Sequence, residues 1–268
     1  MTEAFKDHVV IITGGGRGIG RATAIEFGAE GAVTLLAGRR MDALETAAGE
    51  VRNAGGRAET IHCDVAKEED LKRLVGHAIA AYGRIDVLVN NAGVVAGGRL
   101  DETDADDIAR MVGVNVWAPI RVSQLALPHM RGAGTGTIVN ISSVAGRIGL
   151  PYYATYCASK YAMRGFSEAL RREVSRDGVH VMAVYPGLTA TDMLENVELD
   201  GLAVSVATAE QVGQAVLRGV RWRQPEVFIG IAESLMSRWN DIMPWSMDFG
   251  VDMFRDRIVS AVERQRTR

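Results

Sequence analysis

The sequence predicts an α/β fold, a doubly wound parallel sheet of about seven strands with helices on both faces. Short, continuous apolar segments alternate along the chain with segments of helical periodicity. Because these segments do not alternate with polar residues, they indicate strands buried on both faces. Repeated strand–helix–strand units then predict right-handed crossovers within one sheet. We see no internal repeat or Pro/Ser-rich linker, so we expect residues 1–268 to form a single domain.

The strands are predicted from apolar segments of strand length. They are Val9–Thr13, Val33–Ala37, Ala58–Cys63, Ile85–Asn90, Thr137–Ser142, His180–Tyr185 and Glu226–Ile229. Helices are predicted between and after them, starting near Gly18, Met41, Glu68, Ala105, Tyr153 and Ala209. Thr208 and Gln211 have the spacing of a capping box, which opens the last of these helices.

Two regions interrupt this alternation. Residues 188–207 form a long irregular segment between a strand and a helix, and loops of that length often bind substrate. Residues 231–268 are rich in Met and Trp and are expected to form a C-terminal helical extension that stops at Pro244. This extension could pack on its own subunit or a neighbour, cover the substrate, or lie on a membrane. The net negative charge of residues 233–256 disfavours the membrane.

Composition excludes several other classes of protein. With 47% hydrophobic and 24% charged residues, the chain can bury a large core. The net charge of −3 gives no basic surface for a nucleic acid. Cys63 and Cys157 form no disulfide framework, and the N-terminus has no apolar signal core, so we expect a cytoplasmic protein without a membrane partner. The histidines are scattered, so no metal site is predicted.

A glycine-rich turn joins the first predicted strand to the first helix. Gly14, Gly18 and Gly20 would let the backbone turn sharply and approach a pyrophosphate held at the positive end of the helix. The spacing is Gly-x-x-x-Gly-x-Gly, and a purely structural turn could look similar. The position of the turn, early in an alternating α/β chain, favours a dinucleotide site.

The end of the second strand indicates which dinucleotide binds. An NAD site has an acidic residue there for the ribose hydroxyls, whereas this strand is followed by Arg39 and Arg40, and the next acid is Asp42. Two guanidinium groups suit a 2′-phosphate, and Arg17 in the glycine-rich turn could reach the same group. We therefore expect NADP(H) to be preferred, with NAD(H) as the alternative. The arginines could instead be solvated residues at a helix start.

Tyr156 and Lys160 are four residues apart, which places both on one face of a predicted helix. A nearby ammonium favours the phenolate form and would lower the pKa of Tyr156 toward neutrality, together with a nicotinamide cation and partial desolvation. The pair could then exchange a proton with a substrate. Most pairs with this spacing are surface contacts, so the spacing alone is weak evidence.

Taken together, the motifs resemble those of the short-chain dehydrogenase/reductase family, in the branch of about 250 residues. They occur in order as Thr13-Gly-x-x-x-Gly-x-Gly20, Cys63-Asp64-Val65, Asn90-Asn-Ala-Gly93, Asn115, Ser143, Tyr156-x-x-x-Lys160 and Pro186-Gly187. The resemblance implies a Rossmann-like fold and an oxidoreductase that interconverts a carbonyl and an alcohol.

The resemblance also implies a role for each matching catalytic residue. Tyr156 would be the general acid or base, and Lys160 would lower its pKa and bind the nicotinamide ribose. Ser143 would hold the substrate oxygen. Asn115 would kink its helix and hold a water molecule, although a buried structural amide is the alternative.

The implied cofactor site comprises the residues that follow the strands, together with Tyr156 and Lys160. These are Thr13, Gly14, Arg17, Gly18, Ile19, Gly20, Arg39, Arg40, Asp64, Val65, Asn91, Ala92, Gly93, Pro186, Gly187 and Thr191. Asp64 would accept from the adenine amino group, or could simply cap a helix. The family also commonly forms homodimers or homotetramers, so we expect a homo-oligomer.

The residues expected around the substrate are apolar, and none is an arginine or lysine that could bind a carboxylate. They are Val94, Val95, Ile148, Leu150, Tyr152, Tyr153, Leu188, Met193 and Leu194. We therefore expect a lipophilic ketone or alcohol. Two alternatives stay open, a redox-sensing protein that binds the cofactor without turnover and a nucleotide-sugar epimerase or dehydratase. The epimerase would need a larger C-terminal domain.

Overall fold

The computed structural model describes residues 4–190, 206–246 and 248. The strands are β1 (Val9–Thr13), β2 (Val33–Gly38), β3 (Arg57–His62), β4 (Val87–Asn90), β5 (Gly136–Ile141), β6 (Val179–Tyr185), β7 (Thr189–Ala190), β8 (Ala207–Thr208) and β9 (Glu226–Phe228). Seven of them form one parallel sheet in the order β3-β2-β1-β4-β5-β6-β9. The predicted doubly wound sheet is confirmed.

The helices are α1 (Gly18–Ala29), α2 (Met41–Asn53), α3 (Glu68–Tyr82), α4 (Ala105–Val112), α5 (Ala118–Ala133), α6 (Ala154–Glu173), α7 (Ala209–Arg221) and α8 (Ile231–Ile242). Local signals in the sequence set several of their ends. The Thr208–Gln211 capping box is present at the start of α7. Three acidic residues occupy the first turn of α3, and the helix ends at Gly83, whose φ is +70°.

The sheet is covered on both faces by two apolar clusters. On one face α1, α2 and α7 contribute Phe27, Leu44 and Val216, which are at most 1% exposed. On the other face α3, α5 and α6 contribute residues such as Leu74 and Met130, which are fully buried. Burial on both faces explains why β1 and β6 are apolar along their whole length.

The structure corrects the prediction in two places. The single helix expected from Ala105 is two helices, α4 and α5, joined by a π-helical turn at Gly113–Trp117. The wider turn keeps the chain helical, so the pattern of apolar residues does not reveal the junction. The segment predicted to be irregular carries a short parallel pair, β7 and β8, at its two ends. Residues 191–205 of that segment lie outside the described residues.

The beginning of the predicted C-terminal extension is helical. Helix α8 ends at Ile242, two residues before Pro244, as the sequence predicts. One side of α8 is apolar and exposed: Ile231 is 81% exposed and Ile242 is 75% exposed. No helix in the described part of the chain combines the length and hydropathy needed to cross a bilayer.

The contact between α1 and α7 depends on a small residue. A β-carbon at Gly213 would lie 2.9 Å from the carbonyl carbon of Ala22. We expect Gly213→Ala to lower the free energy of unfolding by about 1–3 kcal/mol, because the two helix backbones must separate. The matched control is Gly76→Ala in α3, where nothing lies within 4 Å. That change should stabilise the protein by up to about 1 kcal/mol through helix propensity. Urea denaturation of both variants measures the difference, and equal effects would contradict this packing.

Candidate active site

The residues predicted to bind the cofactor follow the carboxyl ends of neighbouring strands. The glycine-rich turn follows β1, Arg39 follows β2, Asn91 follows β4 and Pro186 follows β6. Strands β1 and β4 are adjacent in the sheet although β2 and β3 lie between them in the chain, so the strand order reverses there. In open α/β sheets this switch point is where ligands bind.

The glycine-rich turn is fixed by backbone constraints. Gly14 and Gly18 have φ values of +66° and +50°, which other residues rarely adopt. A β-carbon at Gly20 would overlap the carbonyl oxygen of Gly14, so only a hydrogen atom fits there. The side chain of Arg17 precedes α1 and does not cap it. The backbone N–H groups at the start of α1 are therefore not capped by that side chain, which suits an anion.

Hydrogen bonds join this turn to the loop after β4. The buried hydroxyl of Thr13 accepts from the backbone N–H groups of Asn91 and Ala92 at 3.0 and 3.1 Å. The side-chain amide of Asn91 donates to the carbonyl oxygens of Thr13 and Gly14 at 3.0 and 3.1 Å. The side chains of Thr13 and Asn91 thus position two loops of the predicted cofactor site.

Charged residues lie beside the same turn. Arg39 and Arg40 are exposed at the carboxyl end of β2. The N–H of Gly14 donates to Ala37 at 2.7 Å, which holds the glycine-rich turn next to this strand end. Asp64 follows β3, and its carboxylate accepts from the N–H of Ala66 at 3.2 Å. Asp64 does not cap α3, because the residue at that position is Lys67.

Three predicted catalytic side chains meet between β5 and α6. The Ser143 side chain lies near enough to Tyr156 to lower the pKa of its phenol. The Nζ atom of Lys160 lies 5.8 Å from the centre of the Tyr156 ring and donates to the carbonyl oxygen of Ile141 at 3.0 Å. The neighbouring Ser142 donates instead to the carbonyl oxygen of Lys160 at 2.9 Å. Ser143 and Tyr156 are partly exposed, whereas Lys160 is 6% exposed behind them.

Burial dominates the electrostatics at Tyr156. It raises the pKa of this tyrosine to about 12, with the Ser143 hydroxyl acting in the opposite direction. The expected lowering by Lys160 together with a nicotinamide cation stays a prediction. Burial also lowers the pKa of Lys160 to about 8. Burial disfavours the charged form of both groups. It raises the pKa of the phenol and lowers the pKa of the lysine, so in the polypeptide burial has a larger effect on Tyr156 than the lysine does.

Asn115 lies in the π-helical turn between α4 and α5. Its amide is 1% exposed, accepts from the N–H of Val94 at 2.8 Å, and donates to the carbonyl of Val94 at 2.8 Å and to Ser159 at 3.1 Å. A β-carbon at Gly93 would lie 3.5 Å from Asn115 Oδ1 and 3.7 Å from Lys160 Nζ. The three residues therefore share one wall of the site.

The loop after β6 adjoins the catalytic turn. The N–H of Val144 donates to the carbonyl of Pro186 at 2.9 Å, and Gly187 follows directly. Among the predicted substrate residues, Ile148 is buried, while Val94, Tyr153 and Leu188 are partly exposed. Thr191, Met193 and Leu194 lie outside the described residues, so their predicted roles stay predictions.

Sequence reasoning missed Arg147, which lies four residues after Ser143. Its side chain is 6% exposed and forms ion pairs with Glu226 and Asp241, both at 3.0 Å. Its position shortly after Ser143 is the one signal in the sequence that points to this residue. Its acidic partners are about 80 and 95 residues away in the chain, so no local pattern reveals the ion pairs. Only the fold brings them together.

Comparison with known proteins identifies the family. A family model described as short chain dehydrogenase matches residues 8–201, which is most of the chain. The chain belongs to the short-chain dehydrogenase family. It is an oxidoreductase of the NAD(P)-dependent class that acts on CH–OH and C=O groups.

This short-chain dehydrogenase is similar in sequence to a curated relative and similar in structure to two solved proteins. It is 39% identical over 189 residues to a meso-2,3-butanediol dehydrogenase of Serratia marcescens, covering 70% of this chain and 74% of the relative. A levodione reductase structure is 27% identical with a TM-score of 0.80, covering 86% of this chain and 99% of that one. A short-chain dehydrogenase/reductase from Burkholderia phymatum in complex with NAD is 28% identical with a TM-score of 0.81, covering 92% and 97%.

Burial of Lys160 in this dehydrogenase makes its stability depend on pH. Burial lowers the pKa of Lys160 from 10.5 to about 8. Below pH 8 the lysine is charged in the folded protein, and burying that charge lowers the free energy of unfolding by its full amount. The penalty disappears as the pH rises toward 10.5. The free energy of unfolding of the wild type should therefore rise by about 2–3 kcal/mol relative to Lys160→Met between pH 7 and pH 10.

Urea denaturation at several pH values measures this difference. Lys72→Met is the matched control, because Lys72 is exposed and its pKa is raised by the hydrogen bond to Glu69. Its difference from the wild type should stay flat over the same range. A flat difference for Lys160→Met as well would show that Lys160 is not desolvated.

Proposed function

We propose that this protein is an NADP(H)-preferring oxidoreductase that interconverts a carbonyl and an alcohol on a lipophilic small molecule, with Tyr156 as the general acid or base. The observation that carries the proposal is the arrangement of three side chains. Ser143 and Tyr156 are neighbours and are partly exposed, and the buried Lys160 has its Nζ atom 5.8 Å from the centre of the Tyr156 ring. The two groups that would touch a substrate oxygen are thus the accessible ones.

The described residues fit a dinucleotide phosphate. The backbone at Gly14, Gly18 and Gly20 forms a cradle that a β-carbon at Gly20 would fill. This cradle and the start of α1 would hold the pyrophosphate. Arg39 and Arg40, exposed beside the turn, would bind the 2′-phosphate through charge-assisted hydrogen bonds. Asp64 and Val65 would adjoin the adenine, and Gly93 would adjoin the nicotinamide ribose with Lys160.

The bound nicotinamide would supply or accept a hydride at the carbonyl carbon. Ser143 would hold the carbonyl oxygen and stabilise the negative charge that develops on it. In reduction, Tyr156 Oη would give its proton to that oxygen, which yields the alcohol. Tyr156, whose pKa is raised to about 12 by burial, holds its proton at pH 7, and Lys160 with the bound nicotinamide would bring that pKa closer to neutrality. Lys160, beside the ring, would stabilise the phenolate that remains.

The apolar residues around the catalytic pair support a lipophilic substrate. Ile148 is buried against the site, and Leu150 is 37% exposed at its rim. Neither residue offers a charge for a carboxylate or phosphate. A cyclic or fatty-chain ketone buries apolar area at about 25 cal/mol per Å² against such a surface.

Loss of the two arginines should weaken NADPH selectively. We expect the double variant Arg39→Ala/Arg40→Ala to bind NADPH at least tenfold more weakly, about 1.4 kcal/mol, with NADH affinity within twofold of the wild type. Arg176→Ala removes an exposed positive charge elsewhere and is the matched control. Calorimetric titration with both cofactors measures the effect. Equal wild-type affinity for NADPH and NADH would contradict the preference.

Removal of one hydroxyl should stop turnover. Tyr156→Phe should lower kcat/KM for carbonyl reduction by about 10²–10⁴-fold and leave NADPH affinity within twofold, because only the proton donor is lost. Tyr161→Phe, on the same helix and 37% exposed, is the control and should keep the wild-type rate. The reduction assay uses levodione and a panel of steroid, aromatic and fatty-chain carbonyls, and 2,3-butanediol with the oxidised cofactor tests the reverse reaction.

Two outcomes of this assay would count against the proposal. A Tyr156→Phe variant with a near-normal rate would remove the tyrosine from the reaction. A wild-type protein that binds NADPH and turns over no carbonyl or alcohol would instead indicate the redox-sensing alternative.

A further inference from the structure

Arg147 ends the short turn that carries Ser143. This 3₁₀ turn, Val144–Gly146, begins with the Ser143 hydroxyl accepting from the N–H of Ala145 at 3.1 Å. It closes with the N–H of Arg147 donating to the carbonyl of Val144 at 2.8 Å. The position of Arg147 therefore fixes the far end of the turn that presents the Ser143 hydroxyl to Tyr156.

The side chain of Arg147 is held at its two terminal nitrogens and across the plane of its guanidinium, whereas its buried Nε atom has no hydrogen-bond partner among the described residues. Its Nη1 and Nη2 atoms lie 3.0 Å from carboxylate oxygens of Glu226 and Asp241. Its guanidinium lies 5.2 Å from the ring centre of Tyr185 and 5.5 Å from that of Phe228. Because the side chain is 6% exposed, it depends on these two carboxylates for its charge balance.

Asp241 also reaches the catalytic helix. Its two carboxylate oxygens accept from Nη1 and Nη2 of Arg164 at 3.0 and 3.1 Å. Arg164 lies on α6 one turn after Lys160, so it moves with the helix that carries Tyr156. The neighbouring Asn240 donates to the carbonyl oxygen of Arg147 at 2.9 Å. One carboxylate on α8 thus bridges the turn that carries Ser143 and the helix that carries Tyr156.

We propose that Asp241 is a positioning residue for carbonyl reduction, an inference that rests on the proposed function. Its carboxylate holds Arg147 and Arg164 together and so fixes the Ser143 turn against the Tyr156 helix. The segment matched to the family ends at residue 201, so this contribution comes from the part of the chain beyond it. Helix α8 is then a part of the active-site framework.

The test compares Asp241→Ala and Asp241→Asn with a matched ion pair away from the site. Asp177→Ala removes a carboxylate of similar exposure, 32% against 36%, that accepts from Arg131 at 2.6 Å. We expect Asp241→Ala to lower kcat at least tenfold, with the NADPH dissociation constant within twofold of the wild type. Asp241→Asn keeps the shape without the charge and should fall between. Asp177→Ala should keep kcat within twofold.

Hydrogen–deuterium exchange gives a readout that needs no substrate. Asp241→Ala should speed exchange in peptides covering residues 143–150 and 154–165, and Asp177→Ala should leave the first peptide unchanged. If the wild type turns over no carbonyl, the proposed function fails. Hydrogen–deuterium exchange then decides by itself whether Asp241 fixes the Ser143 turn against the Tyr156 helix. With an active wild type, the inference is overturned if Asp241→Ala keeps kcat within twofold. It is also overturned if kcat and NADPH affinity fall in proportion, since that would be a general loss of fold.

Discussion

Burial of the parallel sheet on both faces is the constraint on which the rest of this structure depends. Strand side chains on either face of the sheet have to pack in one of two apolar layers, so the strands offer little surface for chemistry. Polar groups gather instead where the chain leaves the sheet, at the carboxyl ends of the strands. The reversal of strand order between β1 and β4 opens a crevice at that edge.

The loops at that crevice are positioned before any ligand binds. Four hydrogen bonds join the turn after β1 to the loop after β4, and each involves the side chain of Thr13 or Asn91. The side chain of Asn115 makes two further hydrogen bonds, to the backbone N–H and the backbone carbonyl of Val94 in the same loop. Hydrogen bonds that hold loops in place lower the entropic cost of ordering those loops when a ligand binds.

The catalytic groups show what burial does to acid–base chemistry. Tyr156 and Lys160 are adjacent, yet burial shifts their pKa values in opposite directions, to about 12 and about 8. Each shift favours the neutral form of its group. A neutral phenol is a proton donor, and a lysine whose pKa is near 8 can respond to charge that develops beside it. In the polypeptide the phenol of Tyr156 is therefore neutral at pH 7.

The sequence by itself determined the fold class, the strands and most of the site, because each of these has a local signature. Buried strands require apolar runs, the turn after β1 requires glycine at Gly14 and Gly20, and one helical turn fixes the spacing of Tyr156 and Lys160. The helix break at Asn115 left no signature in the periodicity, because a π-turn continues the helix.

Only the tertiary structure decided what depends on distant parts of the chain. The pKa of Tyr156 in the polypeptide follows from the atoms packed around it, and burial raises it to about 12. The ion pairs of Arg147 join residues from β9 and α8 that no spacing rule relates. Desolvation and long-range charge pairing depend on which atoms the fold brings together. The sequence contains the residues involved, but the distances between them exist only in the folded protein.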